Sequence, residues 1–285
     1  MSTTAPAVEN ALEVAHLRKV FKIRKGAPGQ NELVAVDDVS FAVPRSGSLA
    51  VVGESGSGKT TLARMIVGLE IPTRGQVLLD GQIRQPSTRR RDRAARARQV
   101  QMVFQDPYSS LDPRQTVFNC LDEVVRLHST RDRAKRAERV GALLDQVGLD
   151  ERYDGVRPAS LSGGQRQRVA IARALATEPT VLILDEAVSA LDVSVQGQVL
   201  NLLADLRERL GVTYVFVSHD LAVVQQIAET TIVMHRGRIV EEGPTDTILT
   251  SPSHEYTQRL LSALPRPGWR PRRRATTASA PSSPD

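Results

Sequence analysis

Gly53-Glu54-Ser55-Gly56-Ser57-Gly58-Lys59-Thr60 stands between an apolar stretch, Ser48–Val52, and a helix expected from Lys59 to about Gly68. That order of buried strand, glycine-rich turn and helix decides the fold. The pattern G-x-x-x-x-G-K-[ST] in this setting reads as a phosphate-binding loop. Its glycines let backbone N–H groups turn inward around phosphate oxygens. The helix start adds partial positive charge. Lys59 is placed to reach the β- and γ-phosphates of a nucleoside triphosphate, and the Thr60 hydroxyl to ligate Mg²⁺. Thr61 follows as support for the α-phosphate.

A second stretch, Thr180-Val-Leu-Ile-Leu-Asp185-Glu186, is an aliphatic strand ending in two adjacent carboxylates. Neighbouring side chains on a strand point in different directions. Asp185 can therefore serve the Mg²⁺ shell while Glu186 faces a water as general base. Two carboxylates alone often merely cap the next helix; beside a phosphate loop they read as catalytic. A third stretch, Leu161-Ser162-Gly163-Gly164-Gln165, opens another helix and offers a second anion-binding terminus. By itself it would be an N-cap and nothing more.

Outward from these motifs, strands and helices alternate. Leu12–Ile23 and Leu33–Val43 are rich in β-formers around a Gly/Pro/Gln loop at Gly26–Asn31, and Gln76–Leu79 and Val100–Phe104 read as strands. Residues 115–147 have helical composition, Gly148–Pro158 is a loop, and a helix is expected from about Gly164 to Ala176. Then come Val181–Leu184 (strand), Val193–Leu210 (helix), Val212–Val217 (strand), Leu221–Ala228 (helix) and Thr231–Met234 (strand). Alternation of this kind predicts an α/β fold with a mostly parallel sheet covered by helices. The nearly strand-free stretch, about 106–170, is expected to be a helical subdomain inserted into it. Residues 1–10 are expected to be frayed. The Pro/Arg/Ser-rich segment from Pro265 is too polar to fold, so 266–285 is expected to be a disordered tail.

Composition narrows the class. The 285 residues are 40% apolar and 25% charged, ordinary for a soluble globular chain. No apolar run approaches the roughly 18 to 20 residues of a membrane helix, and Met1–Asn10 does not read as a secretory signal. One cysteine, Cys120, excludes an internal disulfide or a multi-cysteine metal site and reads as a small core residue. These features predict a cytosolic location. The net charge of +6 resides in two runs: residues 84–98 hold seven Arg against Asp92, and residues 265–285 hold five Arg against Asp285, leaving −4 for the rest. Such runs are usually solvated surface; an acidic partner or anionic lipid is the functional alternative. His16, His128, His235 and His254 lack metal-ligand spacing and read as surface or packing residues. Trp269 falls in the tail.

Leu161–Gln165 resembles the signature motif of ATP-binding cassette (ABC) ATPases. The resemblance covers about residues 12–264, with motifs in that family's order. Gln105, after the Val100–Phe104 strand, matches the Q-loop; Ser189-Ala190-Leu191-Asp192 matches the D-loop; His219, in Val217-Ser218-His219-Asp220, matches the switch histidine. The resemblance implies a P-loop NTPase core with an antiparallel β region beside the parallel sheet, in a domain at 11–264. It implies that Phe21 stacks on adenine and that Gly53, Glu54, Ser55, Gly56, Ser57, Gly58, Lys59, Thr60, Thr61 and Gln105 contact ATP. It further implies that Thr60, Gln105 and Asp185 serve Mg²⁺, and that Glu186 and His219 are catalytic. Ser162, Gly163, Gly164 and Gln165 would complete the ATP site of a second ATPase subunit, with Asp192 acting across the interface.

Three longer stretches resemble the dipeptide/oligopeptide importer branch: Phe104–Arg114, Asp185–Gln196, and the C-terminal motif at 251–265, Ser251-Pro-Ser-His-Glu-Tyr256-Thr-Gln-Arg-Leu-Leu261-Ser-Ala-Leu-Pro265. Glu255 and Ala187 depart from the prolines frequent there. The resemblance implies an ATP-hydrolysing subunit energising import of peptides or related solutes such as nickel or glutathione. It implies two membrane permeases, an external solute-binding protein and a peripheral position on the cytoplasmic face of the plasma membrane. The other reading is a soluble ABC ATPase acting on nucleic acid or ribosomes. The single cassette, without a long coiled-coil insertion or zinc-finger cysteines, weighs against it, so no nucleic-acid partner is expected.

Overall fold

The computed structural model describes residues 9–23, 32–84, 90–106 and 110–262. The loop expected at Gly26–Asn31, the tail 266–285 with Trp269, Arg89 of the basic run and residues 107–109 of the Phe104–Arg114 stretch lie outside them. So do residues 1–8 of the expected frayed start; beyond these, Asn10 opens a strand and pairs with Pro44.

Among the described residues, two sheets form the β structure. β1 (Asn10–Lys22), β2 (Glu32–Pro44), β4 (Arg74–Leu79) and β5 (Gln82–Ile83) make an antiparallel sheet in the order β2-β1-β4-β5. The second sheet has β3 (Ser48–Val52), β6 (Val100–Val103), β7 (Val181–Asp185), β8 (Thr213–Val217), β9 (Thr230–His235) and β10 (Arg238–Pro244) in the order β10-β9-β3-β8-β7-β6. Its pairings are parallel except β9 with β10. The mostly parallel sheet is the one that the alternation of strands and helices predicts, and the antiparallel region is the one that the family resemblance implies.

β3, β7 and β8 are buried at every position, so both of their faces must be apolar. Alternation along each strand then divides the interior in two. Leu49, Val51, Val181, Ile183, Val215 and Val217 face one cluster, with Leu62, Met65 and Ile66 of helix α1 (Lys59–Val67) and residues of β1 and β2. Ala50, Val52, Leu182, Leu184, Tyr214 and Phe216 face the other. There they meet α5 (Gly163–Leu175), α6 (Val193–Leu210) and α7 (Leu221–Ile227). The few aromatics suffice because aliphatic side chains fill both layers.

A short helix, α2 (Arg90–Ala97), precedes β6. Among the described residues no strand occurs between Val103 and Val181. The helical run expected over 115–147 is two helices, α3 (Val117–His128) and α4 (Arg133–Gln146). Each has its own N-cap: the Thr116 hydroxyl accepts from the Asn119 amide, and the Asp132 carboxylate accepts from Ala134 and Lys135. Among the described residues, the last two elements are short helices, α8 (Thr245–Thr250) and α9 (Glu255–Ser262).

Asp37 on β2 ties the antiparallel sheet to the parallel one. Its carboxylate accepts from Arg238 Nε of β10 at 2.8 Å and also pairs with Arg18 of β1. The hydrogen bond from Arg238, against some loss of hydration and with the added charge of Arg18, holds this carboxyl below the usual range. Stability from such a group is present above its unfolded value of about 3.9 and is lost as pH falls through the lower folded value. Asp37→Asn should therefore lower the urea midpoint at pH 7, with the gap to the parent chain narrowing below about pH 4; urea titrations at pH 7 and pH 3 check this.

Candidate functional site

The parallel strands deliver their carboxyl ends to one edge of the sheet, where open α/β sheets bind ligands. β3 leads into Gly53, β7 into Glu186, β8 into Ser218 and His219, and β6 into Phe104 and Gln105. Val103 is level with Leu184 and Asp185 with Val217, so these ends lie side by side.

The loop 53–60 is shaped by close approach. Gly53 has φ +146°, and a Cβ there would collide with the Met234 carbonyl oxygen of β9. Gly58 has φ +106°, and a Cβ there would collide with the Ala35 carbonyl of β2. Lys59 is 6% exposed. Its ammonium donates to the Gly53 carbonyl at 2.7 Å and to the Glu54 carbonyl at 2.9 Å. Burial pulls its pKa below the ordinary lysine value, against the opposing pull of Glu186, Asp185 and Glu54. The Ser57 hydroxyl is buried with no partner. A cationic head resting on carbonyls and an unpaired hydroxyl leave donors available to an anion.

Thr60 Oγ1 donates to Asp185 Oδ1 at 3.4 Å. Asp185 is 6% exposed, and burial followed by the Glu186 charge raises its pKa. Glu186 lies one residue beyond β7 in a left-handed backbone (φ +49°), its amide donating to the Val217 carbonyl at 2.8 Å. A non-glycine residue there is strained, a condition that surrounding structure must enforce. The turn directs its carboxylate to His219, whose Nδ1 lies 3.0 Å from Glu186 Oε1. Asp185 and Glu186 thus diverge, one toward the loop and one toward the histidine.

The other expected residues sit apart from this cluster. Gln105 is exposed at the end of β6, on the same sheet edge, with no hydrogen bond to Thr60 or Asp185. Phe21, near the end of β1, is half-buried, with Lys19 Nζ 4.9 Å from its ring centre. Ser162 and Gln165 satisfy each other in a capping box at the start of α5: Gln165 N donates to Ser162 Oγ, and Ser162 N donates to Gln165 Oε1. Neither bonds to the loop 53–60 of its own chain. Asp192 is an exposed N-cap of α6 whose carboxylate makes no capping bond.

One residue at the site escapes sequence reading. Tyr256 of α9 is 4% exposed, and its hydroxyl accepts from the Glu54 amide at 3.1 Å. Its ring packs on His235, centroids 3.9 Å apart. Nothing local to Tyr256 signals a contact 202 residues away; its membership of the 251–265 motif is the one available sign. Among the described residues, no helix is long and apolar enough to cross a membrane, and no cluster of three or more His, Cys, Asp or Glu forms a metal centre.

Comparison with known proteins places this geometry. Residues 36–189 match the family model described as ABC transporter, and residues 240–285 match that of the oligopeptide/dipeptide transporter C-terminal region. The chain is 45% identical over 271 residues to the dipeptide transport ATP-binding protein DppF of Escherichia coli (strain K12), covering 93% of this chain and 80% of DppF. It is 43% identical over 260 residues to the oligopeptide transport ATP-binding protein OppF of Bacillus subtilis (strain 168), covering 91% and 84%. Among solved structures, the dimeric post-hydrolysis state of the ATP-binding cassette MJ0796 with ADP and Pi superposes with a TM-score of 0.72 at 29% identity, covering 82% of this chain and 98% of that one.

A raised carboxyl pKa is a cost of keeping Asp185 ionised in the folded chain. Asp185→Asn should raise the melting temperature of the nucleotide-free chain at pH 7 by about 2–4 °C for each kcal/mol relieved. The gain is present above the raised pKa and disappears as pH falls through the ordinary carboxylate range; thermal melts across pH 3 to 8 check the sign.

Proposed function

The chain belongs to the ABC transporter ATP-binding family, in its dipeptide/oligopeptide branch, and on that premise we propose how its residues bind and hydrolyse ATP to energise import of peptides or related small solutes. The observation that carries this reading is the meeting of the buried Lys59 loop, the Thr60–Asp185 pair and the Glu186–His219 pair at one sheet edge.

Lys59 leaves the Gly53 and Glu54 carbonyls for the β- and γ-phosphates, exchanging neutral acceptors for charged ones. Loop amides and the start of α1 hold the remaining phosphate oxygens, and Phe21 stacks on the adenine. Thr60 and Asp185 would hold Mg²⁺, a hard cation that hydroxyl and carboxylate oxygens suit, and Gln105 would join them. Bound Mg²⁺ neutralises charge on the phosphates. Glu186 takes a proton from a water whose oxygen attacks the γ-phosphorus as the bond to ADP breaks, giving ADP and phosphate. His219, held beside Glu186, contacts the γ-phosphate and positions that water.

The signature residues Ser162, Gly163, Gly164 and Gln165 serve a partner's nucleotide rather than their own. Two ATPase subunits, different or identical, face each other head to tail, with Asp192 acting across the interface. The γ-phosphate charge is then shared by two helix starts, and its loss opens the pair. Residues from Gln105 to Arg126 carry that movement to two permease subunits, which receive solute from an external binding protein. The chain works as a peripheral subunit at the cytoplasmic face of the membrane. Neither matched family describes a nucleic-acid ATPase.

Removal of the base separates binding from chemistry. Glu186→Gln should retain ATP affinity, lower turnover by about 10²- to 10⁴-fold, and accumulate an ATP-bound dimer, read by steady-state hydrolysis and size-exclusion chromatography with MgATP. Normal turnover would remove Glu186 from the base role. Lys59→Ala should lose nucleotide binding and turnover together, and calorimetric titration with MgATP showing unchanged affinity would contradict the loop assignment.

A further inference from the structure

We propose that Tyr256 is a positioning residue for the phosphate loop, through which the C-terminal segment sets ATP affinity. This rests on the reading of residues 53–60 as the phosphate cradle.

The two peptide groups that flank the Glu54 Cα are each held. The Glu54 carbonyl accepts from Lys59 Nζ at 2.9 Å, and the Glu54 amide donates to the Tyr256 hydroxyl at 3.1 Å. The two ties differ in what a ligand does to them. A triphosphate draws Lys59 away, releasing the Gly53 and Glu54 carbonyls together. The Tyr256 tie comes from outside the loop and does not compete with phosphate. In the loaded state it is the bond that keeps the entrance of the loop in register while the cationic tie is spent elsewhere. A loop whose amides are already aimed loses less conformational freedom on binding.

The segment carrying Tyr256 is itself anchored. Glu241 of β10 accepts from the Ser253 amide at 2.6 Å, from the Ser253 hydroxyl at 2.8 Å and from the His254 amide at 3.3 Å. His254 Nδ1 accepts from the Tyr256 amide at 3.1 Å, which caps the start of α9. The Tyr256 ring then rests on His235, the residue after the Met234 carbonyl that Gly53 packs against. Glu241, the 253–254 turn, Tyr256 and Glu54 thus form one connected path from the last strand to the phosphate loop. Ser253, His254 and Tyr256, the middle of that path, lie in the 251–265 motif, which ATP chemistry otherwise leaves without a task.

The test measures MgATP affinity of the full chain by calorimetry, with melting temperature of the nucleotide-free protein taken alongside. Tyr256→Phe keeps the ring and its packing, and should weaken ATP binding roughly three- to ten-fold, the effect of one neutral hydrogen bond, while the nucleotide-free melt stays near that of the parent. Glu241→Ala, on the rim of the sheet, should weaken binding in the same direction. The double variant should match Tyr256→Phe alone, because both act through one contact. Unchanged affinity in Tyr256→Phe, a lowered melt with unchanged affinity, or independent addition of the two effects would each overturn the proposal. Lys59→Ala in the same titration separates the two readings: loss of binding there with no effect in Tyr256→Phe sinks the tyrosine's role alone, and retained binding there sinks the cradle itself.

Discussion

A strand buried on both faces can place a charged group only at its end, as β7 does with Asp185. β3, β7 and β8 are in that position, and desolvation of an unpaired ion there would cost several kcal/mol. Their parallel arrangement sends every polar continuation to the same edge. The phosphate loop, the carboxylate pair and the histidine are neighbours because the core expels them in one direction. The two apolar clusters on either side then hold that edge rigid, as positioning of a reacting phosphate requires.

The resting site is internally compensated. The Lys59 ammonium lies on two loop carbonyls, Asp185 receives Thr60, and Glu186 faces His219. Under the proposed mechanism, each contact involves a group that the nucleotide, its metal or the attacking water would claim. Opposite pKa displacements of Lys59 and Asp185 have a common origin in burial. Both groups are held at a cost, and on the proposed reading an incoming anion and its cation would offset it.

How much of this was legible in the sequence follows from distance along the chain. The loop 53–60 and the Asp185–Glu186 pair are local patterns, each preceded by an aliphatic run, and strand followed by turn fixes where they sit. The helix at Ser162 was legible for the same reason. The meeting of Glu186 with His219 spans 33 residues and follows from strand order, which spacing does not encode; the family resemblance supplied it. β10 has half-exposed residues without clean alternation, and β5, α8 and α9 are too short for periodicity to reveal. The division at 129–132 between α3 and α4 hides in helix-forming composition until the Asp132 cap is seen. Tyr256 against Glu54 is the extreme case, a single hydroxyl reaching a single amide from the opposite end of the chain.

The left-handed backbone at Glu186 has a bearing on the history of such chains. Glycine and asparagine occupy that conformation at lower cost than glutamate. If the proposed base role holds, glutamate stands there against the preference of its own backbone, for what its side chain does. A duplicate released from turnover would then be free to change at this position and would grow sturdier by doing so. Paired with an active sibling, such a duplicate would still grip nucleotide, which is a simple physical route from two equal motors to one motor and one clamp.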